Sequence, residues 1–498
     1  VPESHSCTKA DHWRLTPRER EVNASLSKDT APLPWLIQGG MGIAISGWPL
    51  ARAVALAGQL GVVSGTAINT VFARRLQDQG VDATLQAVLD RFPVRSVVDD
   101  VLGQYASSRR SKNKPYRSVP MLTLRSPQRS IDLLVLSSFV EVALAKEGHD
   151  GLIGINLLTK VQIPTLATLF GAILADVDYV MMGAGVPTSI PGILEQLSRG
   201  QEAEMAMQVI GGAHLDPPPV LRFNPKRYLS DQVLQRPKFL GIVSSHVLAT
   251  ALAKRSNGPV DGFVVERPIA GGHNAPPRGP LVLDDAGNPN YGERDRVDYE
   301  VLRALDLPFW IGGGVTTKEN VREAFALGAV GVQVGTLFAY CQESGLDPAL
   351  RSEVIELVKS GPITIATSTH ASPTGYPFKV ASVPGTISDH HVYEERERKC
   401  DLGFLREAYL RADGSLGYRC AAEPVATYIR KGGLVEETED RTCLCNGLMA
   451  TCGLAQVRSD GQAEPPIVTS GDCINEIAGL LGERSSYGAA DVIAHLQP

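Results

Sequence analysis

The sequence predicts an α/β protein, and within that class a (β/α)8 TIM barrel with insertions and a cysteine-containing C-terminal extension. Three observations carry the prediction. Eight short apolar runs recur along the chain. They are continuous in β-branched and apolar residues rather than alternating, as strands covered on both faces read. Helix-like stretches separate them, which points to parallel strands, and glycines or small polar residues end nearly every run. A doubly wound open sheet is the competing arrangement, and a count of eight favours closure.

Taken in order, "PWLIQGGMG" (34–42) opens the series and "LGVVSGTA" (60–67) follows a helix-like "PLARAVALAGQ". Then come "LIGINLL" (152–158), "VDYVMMGAG" (177–185), "KFLGIVSS" (238–245), "VDGFVVE" (260–266), "PFWIGGG" (308–314) and "VGVQVGT" (330–336). The spacer "TTKENVREAFALGA" (316–329) has Thr316 or Thr317 as its helix N-cap. Residues 100–120 are polar and basic and read as a surface connection. "IDLLVLSSF" (131–139) reads as an additional strand. The expected organisation is an N-terminal arm (1–33), a barrel (34–385) with insertions at 186–237 and 275–305, and an extension (386–498). Insertions near the C-terminal ends of barrel strands shape a substrate site.

Bulk properties narrow the function. The chain of 498 residues is 43% hydrophobic and 20% charged, with a net charge of −6. That balance argues against a partner held mainly by electrostatics, whether nucleic acid or membrane surface. No apolar run approaches the roughly 18 residues of a membrane helix, and "VPESHSCTKADHWRLTPRERE" lacks the apolar core of a signal peptide. Eight cysteines are few for this length, so a reducing, cytoplasmic setting is expected. The expected partner is a small-molecule substrate, with homo-oligomer formation left open.

The chemistry gathers at strand ends. "GGG" (Gly312, Gly313, Gly314) and "VGT" (with Gly335 and Thr336) close the seventh and eighth runs. Glycines let backbone N–H groups approach an anion, and helix N-termini add positive potential. In these barrels the loops after strands seven and eight commonly hold phosphate. Strand termination is the plainer account of one such loop; two in succession favour phosphate. "IQGGMG" ends the first run, where Gly39 and Gly40 permit a flat ligand and Met41 can pack on a ring. Asn156 stands inside a buried run and must find partners in a ligand or in the backbone. His273 follows Gly271 and Gly272 in "PIAGGHNAPPRGPL". Its imidazole suits proton transfer, and Pro276 and Pro277 stiffen the chain beyond it. His246 is the rival histidine.

Five of these motifs, "IQGGMG", "LGVVSGTA", "AGGHNAPPRG", "PFWIGGG" and "VGVQVGT", occur in an order that resembles nitronate monooxygenases (2-nitropropane dioxygenases). That family includes related FMN-dependent enoyl reductases. The resemblance covers roughly residues 34–385 and implies an FMN-binding barrel with a smaller helical lid. It places Gly39, Gly40 and Met41 beside the isoalloxazine, with Asn156, Gly183, Gly271 and Gly272 also facing the flavin. Gly312, Gly313, Gly314, Gly335 and Thr336 hold the phosphate, with Gln333 nearby. His273 matches the family's histidine, a base or substrate-orienting group. The implied reaction is oxidation of an alkyl nitronate or similar small anion with oxygen, giving a carbonyl compound and nitrite. The "NAPPRG" extension and the long tail depart from simpler members. They keep open an NAD(P)H-dependent enoyl-thioester or quinone reductase, and a non-catalytic flavin-binding protein. On the residues alone, a flavin-free phosphate-binding barrel such as a lyase also stays open.

The tail carries Cys400, Cys420, Cys443 and Cys445, with Cys452 and Cys473 beyond. Four thiolates can hold zinc or an iron–sulfur cluster. The spacings are long and only the C-x-C pair is close, so scattered free thiols are the favoured expectation.

Overall fold

The computed structural model describes residues 32–229 and 232–498; the expected N-terminal arm lies almost wholly outside the described residues. Eight strands form one sheet: β1 (Leu36–Gln38), β2 (Gly61–Ser64), β3 (Ile153–Leu158), β4 (Tyr179–Gly183), β5 (Lys238–Val243), β6 (Gly262–Glu266), β7 (Phe309–Gly312) and β8 (Gly331–Val334). From β2 onward each pairs in parallel with the next in sequence, and β1 pairs with β8. Closure comes from β1 and β2. Leu60 N–H donates to Leu36 O at 3.2 Å and Gln38 N–H donates to Leu60 O at 2.9 Å. The sheet is therefore a closed (β/α)8 barrel rather than an open doubly wound one.

The period of two in each strand explains why the runs read as continuously apolar. Val62, Met181, Val264 and Trp310 point inward and form the barrel's filling with Ile37, Leu60, Tyr179 and Leu240. Their sequence neighbours Val63, Val180, Val265 and Ile311 point outward and join the larger core beneath the helices. Both faces are dry, so neither alternates with polar residues. Trp310 is fully buried, and its indole N–H donates to Pro34 O at 2.7 Å.

One element differs in kind from the sequence reading. Residues 131–139 are not a strand; they lie within an 18-residue helix, Gln128–Ala145. Nearly every residue of that helix is buried, including Asp132 and Glu141. A helix covered on all sides shows no amphipathic period, and its middle is then indistinguishable from a buried strand. Its charges survive burial because they are paired. Arg227 donates twice to Asp132, at 2.9 and 3.0 Å, and Arg75 lies 3.0 Å from Glu141. Residues 100–120 are helical as far as Tyr105 and irregular beyond it.

Beyond β8 the chain does not leave the barrel. A hairpin (Ile365–Ser368 with Phe378–Ala381) stands at the mouth, and a second (Glu407–Leu410 with Leu416–Arg419) belongs to the extension. The last helix, Ala489–Leu496, returns to the barrel's outer core through Val492 and Leu496. Within the extension, buried Glu464 accepts from Arg396 and Arg458, and Arg458 also reaches Asp401 at 2.8 Å. Glu464→Ala strands these guanidiniums. The expected cost is about 3–5 kcal/mol, seen as a lowered Tm, with Glu464→Gln intermediate.

Candidate active site

The ends of the barrel strands meet beneath the extension in a cleft of about 1640 Å³, its open mouth included. β1 supplies the first wall. Gln38, fully buried, accepts from Val62 N–H at 3.0 Å, and Gly39 N–H donates to Val334 O at 2.8 Å. These bonds set Gly40 directly against Asn156, where a Cβ on Gly40 would lie 2.2 Å from Asn156 Cβ. Gly183 sits similarly tight on Ile242. The floor is backbone because side chains do not fit.

β7 and β8 build the opposite end. Gly313 and Gly314 have φ of +93° and +75°, which glycine adopts without strain. They lead into the helix Lys318–Ala326, and Thr317 is its N-cap, donating to and accepting from Asn320. Gly335 opens the short turn Thr336–Ala339. The extension adds a third strand of chain: Gly471 N–H donates to Thr336 Oγ1 at 3.1 Å. Gln333 faces the cleft, and its Oε1 is buried without a partner among the described residues.

Gly39, Gly40, Met41, Asn156, Gly183, Gly271, Gly272, Gly313, Gly314, Gln333, Gly335 and Thr336 all line this one cleft, as does His273. Gly312 does not; it is the last residue of β7, one step below. His246 stands elsewhere, its Nδ1 accepting from Asp298 N–H at 3.0 Å at the start of helix Tyr299–Arg303.

His273 is held from both sides. Gly272 N–H donates to Thr469 Oγ1 at 3.0 Å, Gly272 O accepts from Lys379 N–H at 2.9 Å, and Asn274 N–H donates to Pro377 O at 2.9 Å. Phe378 meets the imidazole edge-on, with centroids 4.8 Å apart. The mouth hairpin and the extension thus brace the histidine. Its Nε2 lies 2.7 Å from Ser372 Oγ.

Three ionisable groups converge. Burial first, then the nearby Lys160 charge, pushes the His273 pKa down to about 3. Burial pushes Lys160 down to about 7 and Glu266 up to about 7, each partly offset by the other's charge. All three keep some accessible area; His273 and Glu266 line the cleft, and Lys160 lines a smaller cavity beside it. His273 is therefore neutral across the physiological range.

The sequence reading missed Glu266, although it ends "VDGFVVE" at the catalytic end of strand six. It also missed Lys160, two residues past β3. Phe404, Leu405, Leu444 and Leu448, which roof the cleft in apolar material, carried no legible signal, because they come from the extension.

The alternative reading of a zinc or iron–sulfur site at Cys400, Cys420, Cys443 and Cys445 is not supported. Among the described residues no three His, Cys, Asp or Glu side chains are placed to hold a metal. Cys420, Cys443 and Cys445 instead pack in an apolar cluster with Ile43, Ala44 and Met449. Burial, with Cys443 as a like-charged neighbour, pushes Cys400 up to about 12, and burial also raises the other three.

Sequence similarity to known proteins is partial. A probable nitronate monooxygenase of Bacillus subtilis (strain 168) is 30% identical over 115 residues, which are 23% of this chain and 31% of that protein. The match thus spans about a third of the relative. FabK from Thermotoga maritima aligns with a TM-score of 0.45 at 15% identity, covering 97% of this chain and 95% of that one. Nitroalkane oxidase from Streptomyces ansochromogenes gives 0.43 at 14%, covering 94% and 95%. The enoyl reductase domain of MlnA from Bacillus amyloliquefaciens gives 0.45 at 11%, covering 95% and 97%. Residues 220–369, the stretch from β5 through His273 and the glycine loops of β7 and β8, match the nitronate monooxygenase family model, the family that the five motifs resemble.

Proposed function

We propose that the protein is an FMN-dependent oxidoreductase of the nitronate monooxygenase family type. The observation that carries this is the glycine-walled cleft with a buried, partnerless Gln333 Oε1 facing into it. Such an oxygen calls for a ligand donor. The residues fit FMN. Gly313, Gly314, Gly335 and Thr336 would receive the phosphate, and Gly39–Met41, Asn156, Gly183, Gly271 and Gly272 would border the ring. When bound, FMN supplies hydride or single-electron exchange.

The chain's own residues supply the proton chemistry and the fit. Neutral His273 takes up or gives a proton at the substrate, and the roof of Phe404, Leu405, Leu444 and Leu448 excludes water. That roof also bears on the substrate. An apolar cover of this kind suits an apolar chain. It favours reduction of an enoyl thioester or a quinone with NAD(P)H over oxidation of a nitronate with oxygen.

Anaerobic mixing tests the reading. Rapid bleaching of the bound flavin by NAD(P)H, and not by an alkyl nitronate, is expected. Bleaching by the nitronate alone would return the assignment to a monooxygenase. A colourless, folded preparation that takes up no added FMN would remove the flavin altogether.

A further inference from the structure

His273 does not end the polar chemistry of the cleft. Its Nε2 lies 2.7 Å from Ser372 Oγ, which lies 2.8 Å from Thr374 Oγ1. Thr374 Oγ1 in turn accepts from Lys160 Nζ at 3.4 Å. Lys160 is further held by the Tyr376 ring, 3.1 Å from its centroid. Four side chains from three separate segments thus form one line. Its outer end opens on a second, smaller cavity lined by Lys160, Gln162, Met207, Arg406 and Tyr418, and Phe404 separates the two spaces.

We infer that this line is a proton relay and that Lys160 is the positioning residue that feeds His273. The inference rests on the oxidoreductase reading above. The lysine end fixes only the first bond, and the direction from Thr374 to His273 is the one the relay requires. Lysine can only donate, so Thr374 Oγ1 accepts from it. Thr374 then donates to Ser372, and Ser372 donates to His273 Nε2. A neutral imidazole that accepts at Nε2 carries its proton on Nδ1. Among the described residues Nδ1 makes no hydrogen bond, so it is the nitrogen left to the substrate.

The balance is simple. The substrate takes the Nδ1 proton, and Nε2 takes the Ser372 proton. Ser372 takes that of Thr374, and Thr374 takes that of Lys160. Lysine, now neutral, regains a proton from water through the outer cavity. No electrons move along the line. In the reductive direction bound FMN would supply a hydride equivalent, and the proton from this line would complete the addition across a polarised double bond. The groups facing Lys160 are Glu266 across the cleft, His273 and Tyr376 on the line, and Arg406 beside the outer cavity. Burial lowers the lysine to about 7, and Glu266 opposes that shift. Lys160 is charged below that value, so relay-dependent turnover is full there and falls as pH rises through it.

The test compares the FMN-loaded wild type with Lys160→Met, Lys160→Arg and Thr374→Val. Lys160→Met and Thr374→Val are expected to lower kcat by about 10²-fold with little change in KM. Lys160→Arg should also lower kcat and remove the limb near pH 7, because guanidinium keeps its charge but does not give up a proton. A second readout needs no turnover. Nitrogen-15 spectra of labelled histidine should show His273 as the Nδ1–H tautomer in the wild type and a shifted or mixed tautomer in Thr374→Val. Wild-type kcat and pH profile in Lys160→Met and Thr374→Val, with unchanged His273 resonances, would overturn the relay. If the protein takes up no flavin while the His273 resonances still respond to Thr374→Val, the flavin reading fails and the relay stands.

Discussion

Replacing His273 by alanine lowers turnover by about 10²–10⁴-fold, the range a positioned general acid or base contributes, while FMN stays bound. The two halves of that result have different structural causes. Rate falls because His273 is the histidine in the cleft, held neutral with one nitrogen on Ser372 and the other free for substrate. Cofactor stays because the cleft floor is built without the imidazole. The glycine loops proposed to take the phosphate come from β7 and β8, and most glycines proposed to border the ring come from β1 and β4, with Gly271 and Gly272 contributing backbone only. The loop that carries His273 is held through the backbones of Gly272 and Asn274, which the substitution leaves in place. His273→Asn should lose rate comparably. Steady-state kinetics beside flavin fluorescence separates the halves. If His273→Ala sheds FMN while the remaining loaded molecules turn over normally, the residue belongs to the cofactor site and has no catalytic part. The pH profile adds a check. An imidazole pushed down to about 3 is neutral on both sides of the usual histidine value. The wild type should therefore show no limb from His273, and a limb near 7 belongs to Lys160 or Glu266, which Lys160→Met tells apart.

The sequence was legible where one physical cause produced one pattern. Strands buried on both faces read as apolar runs, and all eight lie where the runs stand. Glycine loops after β7 and β8 read as parts of one site because chain order alone puts them side by side, and both line the cleft. Legibility failed where the pattern had two causes or where the partners were distant in sequence. Residues 131–139 are apolar because a helix is wrapped on all sides, and a buried strand looks the same. In the sequence, only Pro276 and Pro277 are visible as a brace on His273. The brace in the fold comes from Pro377, Phe378 and Thr469, more than 100 positions away. Cysteines are read by spacing, but the setting of these is apolar packing, which spacing does not report. Lys160 carried no signal because a lysine after a strand is ordinarily a solvated one. Only the fold brings Thr374 and Tyr376 to it.

Gly40→Ala is expected to abolish stable FMN binding, and the reason is steric rather than chemical. The added methyl would lie 2.2 Å from Asn156 Cβ, 2.8 Å from Asn156 Cγ and 3.2 Å from Val62 Cγ1. Neither side can give way easily. Gly39 is tied to Val334 O at 2.8 Å, and Met41 N–H donates to Ser46 Oγ at 2.7 Å. Asn156 sits mid-barrel in β3, paired with Ser64 on one side and Met181 on the other, with Gly65 N–H on its carbonyl at 2.9 Å. Overpacking of this kind costs about 1–3 kcal/mol of stability. The strain falls where the cleft wall must stay flat, so the displaced loop or the displaced Asn156 intrudes on the ring site. A loss of about 2.7 kcal/mol in affinity would be about 100-fold in Kd, and flavin titration should show at least that. Gly103→Ala is the internal control. It lies in the helix Arg95–Tyr105 with no atom near its would-be Cβ. It should therefore raise stability by about 0.5–1 kcal/mol and leave FMN binding untouched. Wild-type Kd and Tm in Gly40→Ala would mean that the β1 loop is not pressed against Asn156, and the glycine wall would lose its steric explanation.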